Sequence, residues 1–104
     1  MPHIAVANAT SAVSIQPGAI VSKVIHRDDQ VNATVFGLDA GEELTEHQAS
    51  SAAIVQVLAG RLRFTADGEV YDAGPGFWLH LAPKTPHTLV AVEPAVMLVT
   101  LVRR

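Results

Sequence analysis

The sequence lacks cysteine and is poor in aromatic and clustered basic residues. Without cysteine, disulfides, thiolate metal sites and cysteine nucleophiles are excluded. Lysine and arginine number 7 against 10 aspartates and glutamates, for a net charge of −3. The only basic groupings are Arg61 with Arg63 and Arg103 with Arg104, and neither has interleaved aromatic residues. Because nucleic-acid binders usually show a basic face, we expect no nucleic-acid partner.

The sequence also lacks a long apolar run. Its apolar stretches are far shorter than the roughly 20 residues that span a bilayer. The first residues, MPHIAVANATSAVSI, have neither the basic start nor the continuous apolar segment of a signal peptide. We therefore expect no membrane partner and a cytoplasmic location.

Amphipathic helices are missing as well, and short strands take their place. No segment shows an apolar face of period 3.6 over ten or more residues between helix caps. Turn signals such as Asp67–Gly68 and Ala59–Gly60 separate short runs rich in Val, Ile and Leu. Short strands at intervals of about ten residues predict an all-β sandwich or barrel. The predicted strands are Ala19–His26, Val31–Leu38, Ala52–Leu58, Arg61–Thr65, Glu69–Tyr71, Phe77–Leu81, Thr88–Val92 and Ala95–Val102.

The length of 104 residues favours a single domain, residues 1–104. Residues 1–14 are rich in small side chains, and we expect them to be loosely ordered or to lie along a partner chain. Two strands, AAIVQVL and AVMLVTLV, are apolar on both faces. A two-layer sheet normally leaves one face polar, so this pattern indicates that the outer face is covered, for example by another subunit.

Two stretches carry the remaining chemistry, and together they resemble the cupin family. The first cupin motif is a glycine, five residues, His-any-His, three or four residues, a glutamate, six residues and a glycine. Gly41, His47 and Gly60 fall at these distances. The second motif runs from a glycine through a strand to a proline-rich turn and a histidine, and here it is Gly76, FWLHL, APKTP and His87. The resemblance covers residues 35–102 and implies a double-stranded β-helix and a homodimer.

The departures from the family pattern define the expected site. A full cupin site has three imidazoles and one carboxylate. The second histidine of the first motif falls at Ala49, and the glutamate falls at Ala53. In the second motif the usual proline and glycine fall at Ala82 and Lys84. Only two histidines remain on ligand positions.

These two histidines, His47 and His87, have two interpretations. They are either residues with local hydrogen bonds or the ligands of a weak metal site. Two neutral imidazoles suit a divalent transition metal such as Zn, Fe, Mn, Ni or Cu. Such an ion would complete its coordination shell with water, an anion or a substrate.

Three further residues are candidates for a ligand pocket: Gln56, Trp78 and His80. Gln56 is the one polar residue in the run 52–59, and it is out of phase with position 53. Trp78 and His80 share one face of their strand. Each can line a pocket, or each can be a hydrogen-bonding residue on a covered outer face or an interface.

Two functions remain open. The chain is either a module that binds a small organic ligand in its barrel, or a metal-dependent enzyme of the dioxygenase or isomerase type. In the second case the substrate would be a small organic acid or related metabolite. The missing histidine and glutamate favour the binding module.

Overall fold

The computed structural model describes residues 2–47 and 50–103, without the side chains of Glu46 and His47. These residues form short strands and a single-turn 3-10 helix. Among them, no helix is long and apolar enough to cross a membrane. The elements are the 3-10 helix Ala9–Ala12 and the strands β1 (Ile20–Arg27), β2 (Val31–Leu38), β3 (Glu43–His47), β4 (Ala52–Ala59), β5 (Leu62–Ala66), β6 (Glu69–Ala73), β7 (Trp78–Leu81), β8 (His87–Ala91) and β9 (Ala95–Val102).

The strands form two antiparallel sheets, which confirms the all-β prediction. One sheet has the order β1-β2-β9-β4-β7, and the other has the order β3-β8-β5-β6. All eight predicted strands are present, with ends within two residues of those expected. Each sheet pairs strands that are far apart in the chain, so the barrel closes through long-range contacts.

Strand β3 was not predicted from the sequence. Its five residues, ELTEH, are mostly polar, and Leu44 is the one apolar side chain. The strand lies at the edge of the four-stranded sheet, where polar side chains are common because an edge faces solvent. Its pairing with β8 also shifts between Leu44 and His47, which interrupts any simple alternation.

The core lies between the inner faces of the two sheets. In β4 the residues Ala53, Val55 and Val57 are buried and alternate with partly exposed neighbours. From the opposite sheet, Leu62 and Phe64 of β5 are at most 1% exposed. Burying such side chains contributes roughly 1.5–3 kcal/mol each, so the barrel interior provides most of the stability of a domain with so few aromatic residues.

Part of the N-terminal segment, which we define as residues 2–18, packs on the outer face of the chain's own five-stranded sheet through the 3-10 helix and residues Val13 and Ile15. A Cβ atom at Gly37 in β2 would lie 3.0 Å from Val13 Cγ2 and 3.4 Å from Ile15 Cγ1, so the two elements are in close contact. The Gly18 N–H also donates a 2.7 Å hydrogen bond to the Asp39 carboxylate. The expectation that residues 1–14 are loosely ordered or lie along a partner chain stays a prediction, although one of them, Val13, contacts the chain's own sheet.

Candidate ligand cavity

A cavity of about 100 Å³ opens between the two sheets at one end of the barrel. Its wall is almost wholly apolar, since only two of the lining side chains, Thr45 and His87, carry polar atoms. The lining residues come from both sheets and are Phe36, Leu44, Thr45, Ala53, Val55, Phe64, Leu81, His87, Leu89, Met97, Val99 and Leu101. An apolar wall with few polar groups is typical of a small-molecule site.

His87 is the one titratable side chain that the described residues contribute to this wall. Its Nδ1 lies 2.9 Å from the carbonyl oxygen of Thr85. A carbonyl oxygen only accepts, so Nδ1 carries the proton of this bond. The imidazole also stacks on Phe64, with ring centroids 5.8 Å apart and planes inclined by 7°. Both contacts fix the orientation of the ring.

The turn before His87 is built to hold the Thr85 carbonyl in place. The Thr85 N–H and hydroxyl both donate to the Ala82 carbonyl oxygen, at 3.2 and 2.8 Å. Lys84 takes a left-handed backbone conformation, with φ of 67°. Glycine reaches this conformation at lower cost, and the second cupin motif has glycine at that position. The substitution by lysine has therefore kept the shape of the turn.

His47 lies directly opposite His87 in the pairing of β3 with β8. Directly opposed residues of an antiparallel pair have Cα atoms about 4.5–5.5 Å apart. The fold thus brings together the two backbone positions that the sequence singled out. The side chain of His47 is outside the described part of the structure, so its use as a ligand stays a prediction.

The structure describes one of the two positions at which the family pattern has a ligand and this chain has alanine. Ala53, at the glutamate position of the motif, is 4% exposed and lines the cavity with its methyl group. Ala49, at the second histidine position, lies outside the described residues. Among the side chains that the structure describes, which do not include those of Glu46 and His47, no group of three or more His, Asp or Glu could hold a metal ion. The described residues therefore do not fit the four-ligand site of the family pattern.

Gln56, Trp78 and His80 do not line this cavity, and their part in ligand binding stays a prediction. In β4 the inward positions are 53, 55 and 57, so Gln56 points to the outer face. Trp78 is its register partner on β7, and His80 is the partner of Ile54. Strand alternation therefore puts all three on the outer face of the five-stranded sheet. Of the two interpretations given for His80, the outer-face one matches its position.

Sequence reasoning missed two cavity residues that matter for its chemistry, Thr45 and Phe64. Thr45 could not be predicted as a cavity residue because its strand, β3, was not predicted. Phe64 could have been predicted as an inward-facing residue. In its predicted strand, the apolar Leu62 and Phe64 alternate with the polar Arg63 and Thr65. Its stacking on His87 depends on the pairing of β5 with β8, which no local pattern specifies.

The architecture and the cavity define a class: a small antiparallel β-barrel with an apolar cavity at one end and a histidine in its wall. A family model described as "Cupin domain" matches residues 34–101. The chain belongs to the cupin family, and its fold is the all-β cupin barrel.

Solved structures agree with this assignment. A conserved protein of unknown function from Streptococcus pyogenes, SPY1581, is 31% identical, with a TM-score of 0.88 over 100% of this chain and 91% of its own. An RmlC-like cupin from Desulfovibrio desulfuricans is 28% identical, with a TM-score of 0.84 over 96% and 97%. KdgF from a Halomonas species is 27% identical, with a TM-score of 0.76 over 88% and 86%. No curated protein matches the sequence.

Proposed function

We propose that this cupin binds a small, largely apolar organic molecule inside its barrel. The observation that carries the proposal is the cavity of about 100 Å³, whose wall is apolar apart from Thr45 and His87. An oriented imidazole in an apolar wall supplies one directional polar contact, and the rest of the binding energy comes from buried apolar surface. A ligand with an apolar body and one polar end fits this pattern.

The size of the cavity limits the ligand. An apolar protein cavity of about 150 Å³ accommodates benzene, and the present cavity is smaller. The bound part of the ligand therefore has about three to six carbon atoms, and a larger molecule would leave the remainder outside the mouth. Short-chain carboxylic acids and alcohols meet both conditions, with the carboxyl or hydroxyl group at His87.

The test is a thermal-shift screen of short-chain aliphatic acids and alcohols, carried out with a chelator so that no metal contributes. A ligand at ten times its Kd stabilises the fold by about 1.4 kcal/mol. For a domain of this size we expect a rise in Tm of roughly 5–10 °C. A screen without any such rise would contradict the proposal.

A matched pair of variants locates the binding. Ala53→Leu fills the cavity and should abolish the rise in Tm, while overpacking lowers stability by about 1–3 kcal/mol. Ala52→Leu adds the same side chain to the neighbouring residue of the same strand, whose β-alternation gives it the opposite face. It should leave the ligand response unchanged. Equal responses in the two variants would place the binding elsewhere.

A second function is favoured by one specific observation, the opposition of His47 and His87 across β3 and β8. In this alternative the two imidazoles hold a transition metal, which would act as a Lewis acid on a small organic acid. The oriented ring of His87 matches the way metal-bound histidines are held by a backbone carbonyl. With alanine at position 53, the ion would be held weakly.

Metal analysis separates the two functions. The alternative requires that an added transition-metal salt raises the Tm of the wild-type protein, and that this rise is lost in His47→Ala and His87→Ala. Ala53→Glu returns a carboxylate to the cavity wall, so it should raise metal affinity by about tenfold or more. It should also destabilise the metal-free protein by a few kcal/mol, because the carboxyl group is buried. Ala53→Gln is the control, with similar size and no charge. The alternative would be excluded if wild-type protein contains no metal and its Tm does not change when Zn, Fe, Mn, Ni or Cu salts are added.

A further inference from the structure

A row of polar side chains lies beside the cavity, on the inner face of β1 and β2. Directly opposed residues of an antiparallel pair share one face of the sheet. Leu101 and Val99 line the cavity, and Asn32 and Thr34 of β2 lie directly opposite them. Arg27 of β1 lies in turn opposite Asn32. We call Arg27, Asn32 and Thr34 the polar strip. Because neighbouring strands are about 4.8 Å apart, Arg27 lies two strands and about 10 Å from Leu101.

A β-bulge in β1 turns Arg27 toward the inner face. The pairing of β1 with β2 shifts between Val24 and His26, so Ile25 is an extra residue in β1. In a regular strand, Val24 and Arg27 would face opposite sides of the sheet, because three positions separate them. With the bulge, both face inward. Bulges often re-aim a side chain beside a functional site, and this one places a cation next to the cavity.

The donors of the polar strip have no acceptor among the side chains that the structure describes. The Thr34 hydroxyl donates a 2.8 Å hydrogen bond to Asn32 Oδ1, so the two N–H donors of that amide are directed elsewhere. The ion pairs between these side chains do not include Arg27. Val24, on the same face, is 42% exposed, so a solute can reach this part of the inner face. A guanidinium and an amide N–H group together suit a carboxylate.

From these observations we propose that the polar strip binds a carboxylate, and that the ligand is a short organic acid with a second polar group at its other end. This inference rests on the proposed binding of an organic molecule in the barrel, and it names the class of that molecule. The apolar chain occupies the cavity, the second polar group meets His87, and the carboxylate lies outside the cavity on the polar strip. Arg27 determines the specificity, because a guanidinium pairs with a carboxylate through two parallel N–H···O bonds.

Calorimetry with a matched pair of molecules tests this class of ligand. The molecules are ω-hydroxyhexanoate and α,ω-hexanediol, which have the same chain length and differ only in the carboxylate. Titrated into the protein with a chelator present, the acid should bind about tenfold more tightly than the diol, because its hydrogen bonds to Arg27 are charge-assisted. Added salt should narrow this difference, since it screens an exposed ion pair.

Substitutions on β1 locate the carboxylate. Arg27→Gln removes the charge, so it should weaken binding of ω-hydroxyhexanoate about tenfold and leave binding of α,ω-hexanediol unchanged. Arg27→Lys keeps the charge without the planar fork and should retain part of the preference for the acid. Lys23→Gln is the matched control, because Lys23 precedes the inward-facing Val24 and therefore faces outward. The same loss of charge at that site should leave both affinities unchanged.

The outcomes separate this inference from the proposed function on which it rests. Wild-type protein that binds the acid and the diol equally would overturn the carboxylate site and leave binding in the cavity intact. Equal losses of affinity for the acid in Arg27→Gln and Lys23→Gln would do the same, since they would show only an effect of net charge. Wild-type protein that binds neither molecule would contradict the proposed function, and the inference with it.

Discussion

At the residue scale, the two glycines that bracket the first cupin motif are required for different reasons. Gly41 and Gly60 both have left-handed backbones, with φ of 84° and 74°. A Cβ atom at Gly41 would meet nothing within 4 Å. At Gly60 it would overlap the Pro94 carbonyl oxygen and lie 2.7 Å from the Ala95 Cα. Gly41 therefore supplies conformation alone, whereas Gly60 also lets two backbone segments pack together.

This difference predicts unequal effects of alanine. Gly41→Ala should cost about 1–2 kcal/mol, the penalty of a left-handed conformation for a residue with a Cβ atom. Gly60→Ala should cost roughly 4 kcal/mol or more, because the backbone of β9 must move. Urea unfolding of the two variants against wild type measures both losses. Similar losses at the two sites would mean that the close approach at Gly60 is absent in solution.

Single residues also show what the sequence could and could not predict. The motif spacing placed the missing glutamate at position 53, and in the structure Ala53 lines the cavity. The alternation of side chains along β4 correctly predicted that Gln56 and residue 53 lie on opposite faces of the strand. The sequence could not predict that Trp78 and His80 lie away from this cavity, because the alternation of side chains relates only residues within one strand. It does not say which face of a strand turns inward when both faces are apolar or aromatic.

At the scale of elements, the turn between β1 and β2 depends on one carboxylate. Asp28 accepts hydrogen bonds from His26 Nε2 and from the backbone N–H groups of Gln30 and Val31, each at 2.8 Å. The bond from His26 is the largest cause, followed by those from Val31 and Gln30, and together they lower the pKa of Asp28 from 3.8 to about 2. These contacts close the turn and set the register of the two strands.

The lowered pKa predicts a pH dependence of stability. Because the folded-state pKa lies below the unfolded value, ionised Asp28 favours the fold above about pH 4. This contribution declines as the pH falls below 3.8 and is lost as the pH falls through about 2. The difference in free energy of unfolding between wild type and Asp28→Ala should therefore shrink over this range, as measured by urea unfolding at several pH values.

Asp29 provides the control for this turn. Asp29→Ala removes the adjacent carboxylate and leaves the three contacts of Asp28 in place. Its stability relative to wild type should change much less between pH 4 and pH 2. The same pH profile for both variants would show that general charge repulsion, and not the turn, governs acid stability.

The strands also show which parts of the fold could be predicted from the sequence. Eight strands followed from short apolar runs and turn signals, since both are local properties of the chain. Strand β3 did not, because its polar residues and bulge are explained only by its place at a sheet edge beside β8. Because β3 was not predicted, the sequence did not place His47 on a strand or identify Thr45 as a cavity residue.

At the scale of the whole molecule, the order of strands means that the fold cannot form without the C-terminal strand. The last strand, β9, lies in the middle of the five-stranded sheet between β2 and β4. No local pattern in the sequence indicates this order of strands. The sheet therefore depends on residues 95–102, whereas residues 2–11 form no strand and include only part of the 3-10 helix that packs on the sheet.

Two truncations of equal length should consequently differ greatly. Removing residues 95–104 separates β2 from β4 and exposes the core, so we expect no cooperative thermal transition in circular dichroism. Removing residues 2–11 leaves Val13 and Ile15 in place and should cost no more than about 2 kcal/mol, a drop in Tm of about 8–16 °C at most. A cooperative transition in the chain without β9 would contradict its central role. Loss of folding without residues 2–11 would mean that the N-terminal segment is needed to form the sheet, because the strands themselves remain complete in that variant.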